Sequence, residues 1–133
     1  MAQSTRYSVM TDCNNLYRKA VESAEKSYSP YSEFRVGSAL LTSDGKIFTG
    51  CNIENSSYSL TVCAERTAIF KAVSEGISDF EAIAIYGTEN PCTPCGACLQ
   101  VMSEFCNPDF KIVLSDGVHT LGEFLPNVFR LEK

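Results

Sequence analysis

A layered α/β domain is the fold class that the sequence predicts. Segments with strand and helix patterns alternate along the 133 residues, two of the helices begin at cysteines, and turn signals separate the segments. Such alternation is typical of a sheet with crossover connections. With 44% hydrophobic and 20% charged side chains, the chain has the apolar content of one globular domain. We therefore expect a single domain over residues 1–133, with residues 1–11 flexible.

The first half of the chain predicts one helix and a hairpin. Apolar residues at helical spacing indicate a helix from Asp12 to about Ser27, which Pro30 ends. FRVGSALLT (34–42) and KIFTGCNI (46–53) have strand patterns, and Ser-Asp-Gly between them is typical of a hairpin turn.

The second half predicts two more helices and at least two more strands. CAERTAIFKAVSEG (63–76) and GACLQVMSEF (96–105) are helix patterns, and the first stops at Gly76. EAIAIYGT (81–88) and FKIVLS (110–115) predict strands. The tail from residue 117 predicts one more short strand or a helical turn.

Charge and composition exclude several classes of protein. The net charge is −5 and the 11 Lys and Arg are scattered, which disfavours polynucleotide binding. No apolar stretch could span a bilayer and the first residues are polar, so we expect a soluble cytoplasmic protein. Seven cysteines without a secretion signal indicate metal binding or catalysis rather than a disulfide framework.

Three cysteines stand at predicted helix N-termini: Cys63 before one helix, Cys95 and Cys98 at the start of the next. The positive end of a helix dipole lowers thiol pKa and favours the thiolate that metals bind. Three thiolates leave one position of a tetrahedral zinc ion open, as in catalytic sites. Glu65 can approach the ion from the same first turn, where it could shuttle protons.

Cys92 leaves alternatives open, because PCTPC (91–95) and PCGAC (94–98) overlap at Cys95. Cys95 and Cys98 share a helix face, whereas Cys92 precedes Pro94 on the incoming loop, so we favour the second pair. A closed four-cysteine structural zinc site that includes Cys92 is the main alternative. Thiol redox chemistry at Cys92 and Cys95 is another.

The remaining cysteines and the single histidine are not predicted to belong to the functional site. Cys13, Cys51 and Cys106 lie in predicted helix or strand, where cysteine usually packs as a small buried side chain. His119 stands in a predicted polar turn, and we expect it to be solvated.

The order of motifs resembles one known family. C-A-E (63–65) followed about thirty residues later by P-C-G-A-C (94–98) resembles the zinc-dependent cytidine deaminases, in their small homotetrameric branch with three cysteine ligands. The segments 29–40, 50–68 and 124–129 are also similar to family segments in the same order. The resemblance covers most of the chain, from about Tyr17 to Phe129.

This resemblance implies a fold and a reaction. The fold would be a three-layer α/β/α domain with a mixed sheet of about five strands. One zinc ion per subunit would bind Cys63, Cys95 and Cys98. Zinc-bound hydroxide would attack C4 of cytidine or 2′-deoxycytidine, with Glu65 as proton shuttle, to give the uridine product and ammonia in pyrimidine salvage.

The resemblance also implies roles for individual residues. Phe34 would pack on the pyrimidine ring, Asn52 and Glu54 would bind the ribose 3′-hydroxyl, and the backbone of Ala64 would contact the base. Other residues would complete a neighbouring subunit's site in a homotetramer: Asn55, Tyr58 and Phe129. Arg66 would hydrogen-bond the ligand sulfurs. Leu99 departs from the family pattern, since many relatives have arginine there.

The expected substrate is a nucleoside. A nucleotide enzyme would be expected to place basic residues near the 5′ end of the sugar, and the matched segments offer none there, while Glu54 would repel a phosphate at the ribose end. A deaminase of deoxycytidylate or of modified nucleosides remains the alternative within the family. The sequence does not rank cytidine against deoxycytidine.

Overall fold

A five-stranded mixed sheet lies at the centre of the fold, with helices on both faces. The computed structural model describes the backbone of residues 2–132 and the side chains of residues 13–132. The elements in chain order are α1 (Ala2–Ala24), β1 (Val36–Thr42), β2 (Ile47–Cys51), a 3₁₀ turn (Tyr58–Leu60), α2 (Ala64–Ser74), β3 (Phe80–Gly87), α3 (Gly96–Phe105), β4 (Lys111–Leu114), β5 (Gly117–Thr120) and α4 (Leu121–Phe124). The strand order is β2-β1-β3-β4-β5. The predicted α/β/α architecture is confirmed.

The hairpin between β1 and β2 forms where the sequence predicts it. Gly45 has a positive φ of 89°, which glycine adopts without a steric penalty. The Thr42 N–H donates to the Lys46 carbonyl at 2.9 Å and closes the turn. The two strands then pair antiparallel from Leu41 with Ile47 to Gly37 with Cys51.

The directions of the strands decide where the helices begin. Both β2 and β3 are antiparallel to β1, so β2 and β3 run the same way, and β3 is parallel to β4. The helices α2 and α3 each follow one of these like-directed strands. Their N-termini therefore lie at the same edge of the sheet, although β1 separates the two strands.

Side chains of the central strands alternate between two cores. Leu40, Ile83 and Ile112 point to the face covered by α2 and α3, where they join the larger core. The opposite face packs against α1 through a smaller set of buried residues: Cys13, Leu16, Ala20, Ala39, Leu41, Ala82, Ala84 and Val113. Every residue of β1 is buried, as expected for a strand covered on both faces.

Two glycines allow the helices to approach the sheet closely. A Cβ on Gly37 would lie 2.0 Å from the Ala20 carbonyl oxygen of α1. A Cβ on Gly50 would lie 2.4 Å from the Ala64 carbonyl oxygen of α2. Neither position accepts a side chain, so the absence of Cβ at Gly50 sets how closely the first turn of α2 approaches β2.

The structure differs from the sequence predictions at both ends of the chain. Helix α1 begins at Ala2 rather than Asp12, and the flexibility expected for residues 1–11 stays a prediction, since Met1 and the side chains of 2–12 lie outside the described part. The tail forms both the strand β5 and the short helix α4. No helix within residues 2–132 has the length and apolar character needed to cross a membrane.

The position predicted for His119 is wrong, although its ring is still partly exposed to solvent. It lies in β5, not in a polar turn, and its side chain is only 24% exposed. Its Nε2 is 2.8 Å from Asp116 Oδ1 and its Nδ1 is 3.3 Å from Glu123 Oε2. The ring also lies 5.3 Å from that of Phe124, between centroids. Two carboxylates brought together by the β4–β5 turn and α4 hold this histidine.

Candidate active site

Three cysteine sulfurs converge where α2 and α3 begin. Cys63 is the N-cap of α2, Cys95 is the N-cap of α3, and Cys98 lies in the first turn of α3. Their sulfur atoms all lie within 4.8 Å of one another, and those of Cys63 and Cys95 are 3.7 Å apart. No other group of three or more His, Cys, Asp or Glu side chains in the described part of the chain converges in this way.

The cysteine cluster fits a zinc ion. Sulfurs bound to one tetrahedral zinc at about 2.3 Å lie about 3.8 Å from one another. The 3.7 Å separation of Cys63 and Cys95 matches this spacing. Three soft thiolates select zinc over magnesium or calcium, and they leave one coordination position for water or substrate.

Mutual hydrogen bonding already makes one of these thiols acidic. A hydrogen bond from Cys98, reinforced by Arg66, lowers the pKa of Cys63 to about 5. The same bond, together with burial, raises the pKa of Cys98. The bond therefore favours the thiolate at Cys63 and the protonated thiol at Cys98.

Glu65 lies in the first turn of α2, next to the cysteine cluster. Only 4% of its surface is exposed, and burial raises its pKa to about 7, with a further contribution from the nearby Cys63 thiolate. Hydrogen bonds from the Glu65 backbone N–H and, to a smaller extent, with Cys98 partly oppose this rise in pKa. A carboxyl group whose pKa is near 7 can both accept and release a proton at neutral pH.

Arg66 supplies positive charge to the cluster. Its Nη2 donates to Cys63 Sγ at 3.2 Å, and interaction with Cys63 raises the pKa of the guanidinium. Its Nε is buried without a hydrogen-bond partner. Leu99 is 7% exposed and packs in the larger core, so it adds no charge there.

Cys92 is separate from the cluster. It is half-buried against the larger core, and burial raises its pKa to about 11. A Cβ on Gly87 would lie 2.7 Å from its sulfur, so Cys92 packs on the β3 backbone. This position argues against the closed four-cysteine site, and the raised pKa argues against thiol redox chemistry.

The other cysteines vary in burial. Cys13 and Cys106 are 8% and 7% exposed, as predicted, whereas Cys51 is only partly buried. No disulfide joins any of them in the described part of the chain.

Phe34 and Asn52 are hydrogen-bonded to each other. The Asn52 Nδ2 donates to the Phe34 carbonyl at 2.8 Å, and its Oδ1 accepts from the Val36 N–H at 3.0 Å and from the Ser27 hydroxyl. Phe34 itself is half-buried against the larger core. Asn52 thus fixes the backbone that enters β1.

Glu54 binds the same loop. It is 6% exposed, and its carboxylate accepts hydrogen bonds from the Tyr31 N–H at 3.0 Å, the Ser32 N–H at 3.2 Å and the Ser32 hydroxyl. These bonds, the hydroxyl first among them, lower its pKa. No local sequence pattern marks Ser27 or Ser32, because their partners Asn52 and Glu54 lie more than twenty residues further along the chain.

Ala64 is fully buried as the first residue of α2. Its carbonyl accepts a hydrogen bond from the Ser38 hydroxyl at 2.7 Å. Its N–H has no intrahelical acceptor at this position of a helix, so it can face a ligand beside the cysteines.

Three further candidates lie on the surface. Tyr58 and Phe129 are each 65% exposed, and Asn55 is an exposed residue whose side chain accepts from the Ser57 N–H at 2.8 Å. The Phe129 carbonyl accepts from Gln100 Nε2 at 3.1 Å, which places the C-terminal segment against α3.

The fold and this site together define a zinc-dependent enzyme. Residues 10–114 match the family model described as the cytidine and deoxycytidylate deaminase zinc-binding region. The chain belongs to this family.

Individual relatives agree with that assignment. A protein from Sporosarcina psychrophila named cytidine deaminase is 48% identical over 127 residues, covering 91% of this chain and 93% of its own. A protein of the same name from Halalkalibacterium halodurans is 49% identical over 127 residues, covering 91% of this chain and 96% of its own. The crystal structure of cytidine deaminase from Burkholderia pseudomallei superposes with a TM-score of 0.82 at 47% identity, covering 87% of this chain and 98% of that one.

Proposed function

We propose that the protein hydrolyses cytidine and 2′-deoxycytidine to uridine and 2′-deoxyuridine and releases ammonia. In this reaction a C4–O bond forms from water and the C4–N bond to the exocyclic amine breaks. The observation that carries the proposal is the buried Glu65 beside three converging thiols at two helix N-termini.

Zinc is the cofactor, with one ion per subunit held by Cys63, Cys95 and Cys98. Bound there, it would lower the pKa of water to about 7 and so make hydroxide available at neutral pH. Arg66 would offset part of the negative charge of three thiolates through its bond to the Cys63 sulfur.

Glu65 would move the protons. Its pKa of about 7 lets it take a proton from the attacking water and deliver it to N3 of the ring. The second proton of that water would then pass through Glu65 to the amine at C4, which leaves as ammonia. Burial of Glu65 keeps bulk water away from these transfers.

The substrate would lie between the cysteine cluster and the loop before β1. Phe34 would pack on the pyrimidine ring, and the free N–H of Ala64 would bind the base. Asn52 and Glu54 would bind the 3′-hydroxyl of the ribose. An ionised carboxylate at the sugar disfavours a nearby phosphate, which supports a nucleoside rather than deoxycytidylate as substrate.

The active assembly would be a homotetramer in the cytoplasm, acting in pyrimidine salvage. Large apolar side chains are exposed on the isolated chain, as expected when part of the surface is buried in an assembly: Tyr28, Tyr31, Ile53, Tyr58, Leu60, Phe70, Val118, Val128, Phe129 and Leu131. Within it, Asn55, Tyr58 and Phe129 would each contribute to a neighbouring subunit's site.

The proposal is tested by the zinc-loaded protein and a Glu65→Gln variant. Incubation with cytidine should yield equal amounts of uridine and ammonia, and Glu65→Gln should lose at least about 100-fold in kcat because proton transfer is removed. Zinc content should be unchanged in the variant. Glu75→Gln, an exposed change at the other end of α2, is the matched control and should keep full activity.

Kinetics on four substrates complete this test. The kcat/KM values for cytidine and deoxycytidine should exceed those for their 5′-monophosphates. Zinc-loaded protein that releases no ammonia from cytidine would overturn the proposed activity, and a preference for the monophosphates would overturn the nucleoside assignment.

A further inference from the structure

The hydroxyl of Ser32 joins two residues that have proposed roles in substrate binding. It donates to the Glu54 carboxylate and accepts from the Phe34 N–H at 3.0 Å. A serine hydroxyl has one donor hydrogen, and here that hydrogen is used on Glu54. One small side chain therefore connects the aromatic ring that would face the base with the carboxylate that would face the ribose.

The backbone of Phe34 is held on both sides. Its N–H is bound by the Ser32 hydroxyl, and its carbonyl is bound by Asn52 Nδ2 at 2.8 Å. The intervening Glu33 has a positive φ of 59°, a conformation that non-glycine residues adopt only when their surroundings hold them there. Loss of either hydrogen bond would let this turn relax and Phe34 shift.

The carboxylate of Glu54 can accept few hydrogen bonds beyond those it already makes within the loop. An ionised carboxylate has about four acceptor positions, and the Tyr31 N–H, the Ser32 N–H and the Ser32 hydroxyl use three of them. The remaining acceptor position can accept a hydrogen bond from a sugar hydroxyl. Because the loop fixes both oxygens, the direction of this last position is also fixed.

We propose that Ser32 is a positioning residue for nucleoside binding, which orients Glu54 toward the sugar 3′-hydroxyl and holds Phe34 under the base. This inference rests on the proposed roles of Glu54 and Phe34, and it adds a residue that would not itself touch the substrate. A serine that merely shaped an exposed loop would affect all substrates equally. A serine that orients Glu54 affects substrates according to whether they carry the 3′-hydroxyl.

The test compares 2′-deoxycytidine with 2′,3′-dideoxycytidine, which differ only at that hydroxyl. In the zinc-loaded wild-type protein, kcat/KM should be roughly 10- to 100-fold higher for deoxycytidine, as expected for a hydrogen bond to a charged group. In Ser32→Ala this ratio should fall by about threefold or more. KM for deoxycytidine should rise more than kcat falls, with zinc content unchanged.

Two further variants make the experiment specific. Ser32→Thr keeps the hydroxyl at an exposed position, and it should restore most of the wild-type ratio. Ser29→Ala removes a buried hydroxyl from the same loop, one that accepts a hydrogen bond from the Ser27 hydroxyl at 3.0 Å, and it should leave the ratio unchanged.

The outcomes separate this inference from the proposed function. A wild-type protein that treats the two substrates alike would overturn the ribose role of Glu54 and with it the inference. A wild-type ratio that persists in Ser32→Ala would overturn the role of Ser32 alone. Absence of turnover for every substrate would overturn the proposed activity itself.

Discussion

The sulfur atoms of Cys63 and Cys95 lie 3.7 Å apart although 32 residues separate them in the chain. They meet because each cysteine caps a helix that follows one of two like-directed strands of the sheet. Both positive helix ends then point at one place, which favours thiolates and the metal they bind. The cysteine cluster therefore exists because the N-termini of α2 and α3 lie next to each other.

Substitution of single cysteines should distinguish the zinc ligands from a cysteine that lies nearby without binding zinc. Cys98→Ser should lose zinc and activity, because it removes one of three sulfurs within 4.8 Å of one another. Cys92→Ser should keep both, since Cys92 packs on β3 outside this group. Zinc per subunit, measured by elemental analysis, checks both. Loss of zinc from Cys92→Ser would contradict the choice of PCGAC over PCTPC.

Arg66→Ala should weaken zinc binding about 10- to 100-fold, the range found when a partner of a metal ligand is removed. The cause is loss of the 3.2 Å bond to Cys63 Sγ, which Leu99 cannot replace. Competition with a chromogenic chelator measures the affinity. Lys71→Ala, which removes an exposed charge from the same helix, is the control. Unchanged zinc content and activity in Arg66→Ala would rule out this role.

His119 should make stability depend on pH. Its contact with Asp116, supported by Glu123, raises the pKa of the imidazole above its usual value of about 6.5. The stabilisation is therefore fully present below about pH 6.5 and disappears as the pH rises through the higher folded-state pKa. His119→Gln should lower the free energy of unfolding more at pH 6 than at pH 9. Urea denaturation at both values measures this difference, and an equal loss at both would contradict it.

Arg130 should hold the C-terminal segment on α3. Its guanidinium donates to the carbonyls of Ser103 and Cys106 at the end of that helix, where carbonyls lack intrahelical partners. Arg130→Ala should increase hydrogen exchange in residues 126–132 and cost about 1 kcal/mol of stability. If Phe129 acts in a neighbouring site, KM should also rise.

Arg18→Ala is the control for this experiment, because it removes an arginine of α1, on the opposite face of the sheet from α3, that donates to Asn15 Oδ1 at 2.7 Å. It should leave hydrogen exchange of the tail and KM unchanged. Equal exchange of residues 126–132 in wild type and Arg130→Ala would show that the arginine does not retain the tail.

Local sequence patterns were enough to predict most of the helices and strands, and to favour Cys95 and Cys98 over Cys92 as a metal-binding pair. The Ser-Asp-Gly turn, the stop at Gly76 and the helix beginning at Gly96 are short-range features, and each is found where it was predicted. Cys95 and Cys98 likewise lie on the same face because they are three residues apart, within one helical turn. Such features need no partner from elsewhere in the chain, so a sequence pattern is enough to predict them.

Only the tertiary structure decided what depends on contacts between distant segments. The strand directions that bring α2 and α3 to one edge, the carboxylates around His119 and the bond from Ser32 to Glu54 each join residues through the fold. The pKa of Glu65 also belongs to this group, because burial by the surrounding layers raises it. Hydrogen bonding and burial at these positions are set by packing, and no local pattern encodes them.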